Sequence, residues 1–145
     1  MFNDNLKVTG AVQIVLLNKD GSVKDTREIK NLVVTSGKGF IAGRMVNAPT
    51  AMSHMAIGSS STAATIGDTA LGGELGRVAL GSSTAVGAVV TYTASFPAGT
   101  GTGAVVEAGV FNAASSGTML CRTVFSVVNK GVDDAMTITW TITVS

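Results

Sequence analysis

Charged side chains are scarce in this chain: Asp, Glu, Lys and Arg make up 13% of its 145 residues, about half the roughly 25% of an ordinary soluble domain. Much of the surface must then be Ser, Thr, Gly and Ala. Like-charge repulsion normally keeps proteins apart, so a surface this poor in charge suits a protein that lives assembled. The 10 basic residues are spread among 9 acidic ones for a formal net charge of +1, which leaves no basic stripe to displace counterions from a nucleic acid; no nucleic-acid partner is expected. Cys121 is the single cysteine. It cannot form an internal disulfide, and the fold must rest on packing and hydrogen bonds. The longest apolar stretches, such as residues 14–17, fall far short of the roughly 20 residues that span a bilayer, so no transmembrane helix and no membrane partner are expected. Residues 1–5, Met-Phe-Asn-Asp-Asn, have neither the positive start nor the apolar core of a secretion signal, and synthesis in a cytoplasm is the expectation.

What the chain does contain is alternation. Residues 135–144, Ala-Met-Thr-Ile-Thr-Trp-Thr-Ile-Thr-Val, put Met136, Ile138, Trp140, Ile142 and Val144 on one side of a strand and Thr137, Thr139, Thr141 and Thr143 on the other. One face is apolar and must be buried; the other is a row of hydroxyls that can meet water or a partner. Residues 8–17 and 22–29 read as a hairpin about the Asp20-Gly21 turn signal. Further strands are expected at 52–57, 76–80, 88–96, 104–111 and 118–128, the last forming a hairpin with the 135–144 strand through 129–134. A short helix is expected to about Val46, capped by Thr35 or Ser36 and weakened by Gly37, Gly39 and Gly43. Asp68-Thr69-Ala70-Leu71 could form one capped turn inside an otherwise irregular 62–73 segment. Residues 97–103 read as a mobile loop. About eight strands with one or two short helices predict a single all-β domain over 1–145, an antiparallel β-sandwich of jelly-roll type.

Candidate reactive groups are few. Ser36-Gly37-Lys38-Gly39 lacks the first glycine of a phosphate-binding loop and has Gly39 where Ser or Thr belongs, which leaves Lys38 as a lysine at a helix entrance. His54 has no His, Cys or acidic neighbour at metal-ligand spacing. A Ser/His/Asp triad could be assembled from distant residues, but no nucleophile-elbow motif is present. Cys121 reads as a small buried hydrophobe on the face of Met119, Thr123 and Phe125, and Trp140 as a core anchor. Glu107 interrupts the apolar run 105–111. A buried carboxylate needs a partner, and Arg122 or Arg77 could supply a bidentate one, which favours a structural ion pair over a catalytic acid. No cofactor, metal or enzymatic activity is expected.

Two stretches carry a resemblance. Met55-Ala56-Ile57-Gly58, followed by a Ser/Thr-rich loop and Asp68-Thr69-Ala70-Leu71-Gly72-Gly73-Glu74-Leu75-Gly76-Arg77, resembles a pattern of tailed-bacteriophage virion structural proteins. Glu107-Ala108-Gly109-Val110-Phe111-Asn112-Ala113, then Gly117-Thr118-Met119-Leu120 and Arg122-Thr123-Val124-Phe125, is similar to the downstream part of that pattern, and Asn31-Leu32-Val33-Val34-Thr35-Ser36-Gly37 to its opening. The likeness covers most of residues 31–145. Such modules occur in capsid cement or decoration proteins and in tail fibres or tail tips. Because the chain contains little besides this module, the resemblance implies a cement protein: a jelly roll that dimerises, or trimerises, and clamps neighbouring major capsid subunits at the capsid surface of a virion made in a bacterial host. Residues 1–6 would serve as a docking arm, with Phe2 and Leu6 in pockets on the shell. The alternative is a tail module that binds a host receptor or another tail protein.

Overall fold

The computed structural model describes residues 6–46 and 49–145. Nine strands and one helix follow in the order β1 (Val8–Leu17), β2 (Val23–Val33), α1 (Thr35–Arg44), β3 (His54–Gly58), β4 (Glu74–Ala79), β5 (Ser82–Val86), β6 (Val89–Phe96), β7 (Gly103–Phe111), β8 (Met119–Lys130) and β9 (Ala135–Val144). They form one antiparallel sheet in the order β4-β3-β7-β8-β2-β1-β9-β6-β5.

The sheet curls because β2 serves two neighbours in turn. Its residues from Val23 to Asn31 pair with β1, whereas Leu32 and Val33 pair with Arg122 and Cys121 of β8. The chain thereby hands the sheet from one half (β2-β1-β9-β6-β5) to the other (β4-β3-β7-β8). A single apolar cluster joins the two: Val12, Ile14 and Leu16 of β1, Ile138 and Trp140 of β9 and Phe96 of β6 meet Met55 and Ile57 of β3, Val110 of β7 and Leu120 of β8. These are the alternating apolar residues of their strands, and burying each large side chain contributes about 1.5–3 kcal/mol.

β9 is not the hairpin partner of β8. It lies between β1 and β6, with Trp140 opposite Val12 and Tyr92, and Ile138 opposite Ile14 and Ala94. A strand whose whole alternate face is large and apolar gains most from two apolar neighbours, and the 129–134 turn carries the chain across the core to reach them. Within the 97–103 segment Gly101 is buried against Ile57 and Gly76, with φ at 68°, a conformation open to glycine, while residues 97–99 and 102 are exposed.

α1 begins without a side-chain cap. Val34 occupies the N-cap position, the Ser36 hydroxyl donates to the Met119 carbonyl at 3.0 Å, and the Thr35 N–H donates to the Ile66 carbonyl at 2.8 Å. The Ser36 hydroxyl is thus committed to β8, and Thr35 already lies inside the helix as its first residue. The helix rests on β8 at Gly37, where a Cβ would overlap the Leu120 backbone. Residues 68–71 form no helical turn, and β5, a strand absent from the sequence expectation, continues the sheet beyond β6 through a two-residue loop.

Candidate functional site

Glu107 lies on the outer face of the β3-β7-β8 half, in register with Gly58 on one side and Val124 on the other. It is fully buried because the 59–73 segment folds over it. Its carboxylate accepts hydrogen bonds from the Ser60 N–H (2.8 Å), the Gly72 N–H (2.9 Å), the Gly73 N–H (2.8 Å) and Arg122 Nε (3.1 Å). Arg122, itself 2% exposed, uses its remaining donors on the Asp68 carboxylate (2.9 Å) and the Thr62 carbonyl (2.9 Å). Asp68 in turn accepts from the Thr65 N–H and hydroxyl, each at 2.9 Å. The Thr65 N–H foremost, then the Thr65 hydroxyl and the Arg122 guanidinium, hold the Asp68 carboxyl below the usual carboxylate range against the opposing effect of burial. Every strong donor and acceptor in this cluster faces another member, so its capacity is spent on fastening one loop to one sheet face.

Arg77 does not join Glu107. It pairs with Glu74 at 2.6 Å, donates to the Ala113 and Ser116 carbonyls at 3.0 and 2.9 Å, and lies over the Phe111 ring 3.8 Å from its centroid. It therefore clips a second loop, 112–117, to β4. Register explains the division: Arg77 is opposite Ala56 on β3, and β7 lies beyond β3, so a nearer carboxylate on its own strand wins. A third fastening holds the 129–134 turn. The Lys130 ammonium donates to the Pro97 and Asp134 carbonyls at 2.9 and 2.7 Å, and the Asp134 carboxylate takes Lys24 and the Gly131 N–H, each at 2.8 Å. Burial pushes the Lys130 ammonium down, while Lys24 first and the Gly131 N–H second hold Asp134 below its usual range.

The other singled-out residues are placed as follows. The His54 ring shares a 2.8 Å hydrogen bond with the Ser53 hydroxyl at the start of β3. Cys121 is fully buried, and burial drives its thiol well up. It shares the inward face with Ala108, Val110 and Thr123 but not with Met119, because the β7–β8 register slips between Val110 and Phe111 and Leu120 becomes an extra inward residue. Trp140 is fully buried in the core. Lys38 lies in α1 beside Leu6, Ile41 and Met45, around a groove between the helix and the start of β1. Leu6 is 77% exposed there; Phe2 lies outside the described residues.

A second polar surface is the outer face of the other half. Cross-strand rows run Thr84-Thr91-Thr141-Ala11-Lys30 and Ser82-Thr93-Thr139-Gln13-Glu28, and Ser95-Thr137-Val15-Thr26 continues them. Charge appears in these rows only on β2, leaving β5, β6 and β9 as a field of hydroxyls. The threonines of β9 announce this face in the sequence. The carriers of the Glu107 cluster were harder to find, because Ser60, Gly72 and Gly73 act through backbone N–H groups. The glycines themselves were the available signal: a Cβ at Gly58 would crowd the Glu107 carboxylate and the Gly73 carbonyl.

Comparison with models of protein families, with curated protein sequences and with solved structures finds no match to this chain.

Proposed function

We propose that this chain is a non-enzymatic structural protein of a tailed-bacteriophage virion, a jelly-roll module that binds the outer surface of the capsid and cements neighbouring major capsid subunits. One observation carries the reading. Eight residues within the stretches that resemble phage virion proteins, Gly58, Asp68, Gly72, Gly73, Glu74, Arg77, Glu107 and Arg122, converge on two fastenings that hold loops 59–73 and 112–117 against one sheet face. The resemblance thus lies in parts that fix shape. Fastened loops and an uncharged hydroxyl face suit a module that docks without losing much conformational freedom.

Cementing needs no strong single contact. Many copies, each touching more than one capsid subunit, gain from effective concentration, so modest interfaces together resist internal pressure. Residues 1–6 act as the docking arm, with Phe2 and Leu6 seated on the shell.

The test mixes the purified chain with capsids lacking it and scores co-sedimentation and the temperature of shell rupture. Stoichiometric binding with a raised rupture temperature is the expected result, and a chain without residues 1–6 should bind with reduced occupancy. No capsid binding would overturn the reading in favour of a tail or receptor-binding module, and unchanged occupancy after the deletion would remove the arm from it.

A further inference from the structure

The curled sheet has two edges, and they are treated differently. β4 carries Glu74 and Arg77, and Gly76 at its middle is packed against Gly101 of the 97–103 segment. Charge and cover of this kind are how proteins protect an edge strand from pairing with another chain. β5, at the opposite edge, carries no charged side chain of its own, although Arg44 of α1 lines a pocket with its Ser83, Thr84 and Ala85. Its sequence is Ser-Ser-Thr-Ala-Val, all five residues are exposed, and among the described residues its only strand neighbour is β6.

The geometry of the hairpin says which backbone groups are open. β5 and β6 are joined by Gly87-Ala88, with Gly87 at φ 58° in the first loop position, and Val86 pairs with Val89 across the loop. A pair closing a two-residue loop exchanges both of its hydrogen bonds, and alternate residues do the same along the ladder. Val86, Thr84 and Ser82 therefore turn their backbone groups toward β6. Ser83 and Ala85 present an N–H and a carbonyl each to the outside.

We propose that this edge pairs with the same edge of a second copy, antiparallel about a two-fold axis at Thr84, so that Ser83 of each copy bonds Ala85 of the other and the hydroxyl face runs continuously across both molecules. Self-pairing about that axis sets Thr84 beside Thr84 and opposes no charges. It leaves no further edge of the same kind, because β4 is charged and packed against the 97–103 segment, so association stops at a dimer instead of running on as a fibre. A foreign strand would find no charged side chain on β5 to select it. The short pairing makes a weak dimer, concentrated wherever copies are held side by side. This inference concerns the chain alone and stands whether or not its larger partner is a capsid.

Sedimentation equilibrium of the full chain over a range of concentrations should show a monomer–dimer equilibrium. Thr84→Lys, at an exposed position, places two ammonium groups face to face and should weaken the dimer at least tenfold with an unchanged circular dichroism spectrum. Thr84→Cys under mild oxidation should give a cross-linked dimer, whereas a cysteine at exposed Thr62 should not. A wild type still monomeric at roughly 1 mM, a trimer, or a dimer indifferent to Thr84→Lys would overturn the proposal.

Discussion

Glu107 and Arg122 show how a buried charge is kept in an otherwise apolar sheet. Removing one partner of a buried pair strands the other, which costs about 3–5 kcal/mol. Glu107→Gln should therefore lower stability by about that amount in urea denaturation. An apolar replacement of both residues often recovers such a loss, but here it should not. The Ser60, Gly72 and Gly73 N–H groups donate to the same carboxylate and would lose their acceptor. Full recovery in the Glu107→Leu, Arg122→Met double variant would show that the ion pair, and not the loop, is what the carboxylate serves. Asp68 and Asp134 extend the logic to pH. Both carboxyls are held below their usual range in the folded protein. Their contribution is fully present above the unfolded value of about 3.9 and is lost as pH falls through the folded values. The urea midpoint should hold steady from neutral pH to about 5 and drop below about 4. Asp68→Asn should start lower and flatten part of that drop; an equally steep drop in this variant would exclude Asp68 as a source.

Among the elements, α1 offers the sharpest contrast between local and tertiary effects. Glycine inside a helix costs up to about 1 kcal/mol relative to alanine. Gly39→Ala meets nothing within 4 Å and should raise stability by about 0.5–1 kcal/mol. Gly37→Ala has the same intrinsic benefit but drives a methyl into the Leu120 backbone, and overpacking of that kind costs about 1–3 kcal/mol. Thermal melts of the two variants should move in opposite directions, and a stabilised Gly37→Ala would mean that the helix can lift off β8 without loss. The same contrast explains what could be read beforehand. β1, β6 and β9 were legible because their periodicity is local, and Glu107 because it breaks a local apolar run. β5 has no apolar face to announce it, being exposed on both sides. The slip that moves Leu120 and Cys121 together inward, like the choice of β1 and β6 over β8 as neighbours of β9, depends on partners distant in sequence.

For the whole molecule, the consequence of the curl is cooperativity. The two halves share one apolar cluster and are joined through the short Leu32–Val33 pairing with Arg122 and Cys121. Neither half can bury its inward side chains alone, so they should unfold together. Trp140 lies in the β9 centre of one half, far along the sheet order from β3 and β7, where Glu107 sits in the other. Indole fluorescence therefore reports on the shared core from the β9 side, and a Glu107→Gln substitution perturbs the outer face of the other half. If the curl couples them, the fluorescence transition of that variant should shift to lower urea by the same amount as the circular dichroism transition, and the two should remain superimposable. Fluorescence left at the wild-type midpoint while circular dichroism becomes biphasic would show that the halves are separate folding units. It would also mean that the loop fastenings stabilise only the face they cover, since the reach of Glu107 to Trp140 depends on the shared core.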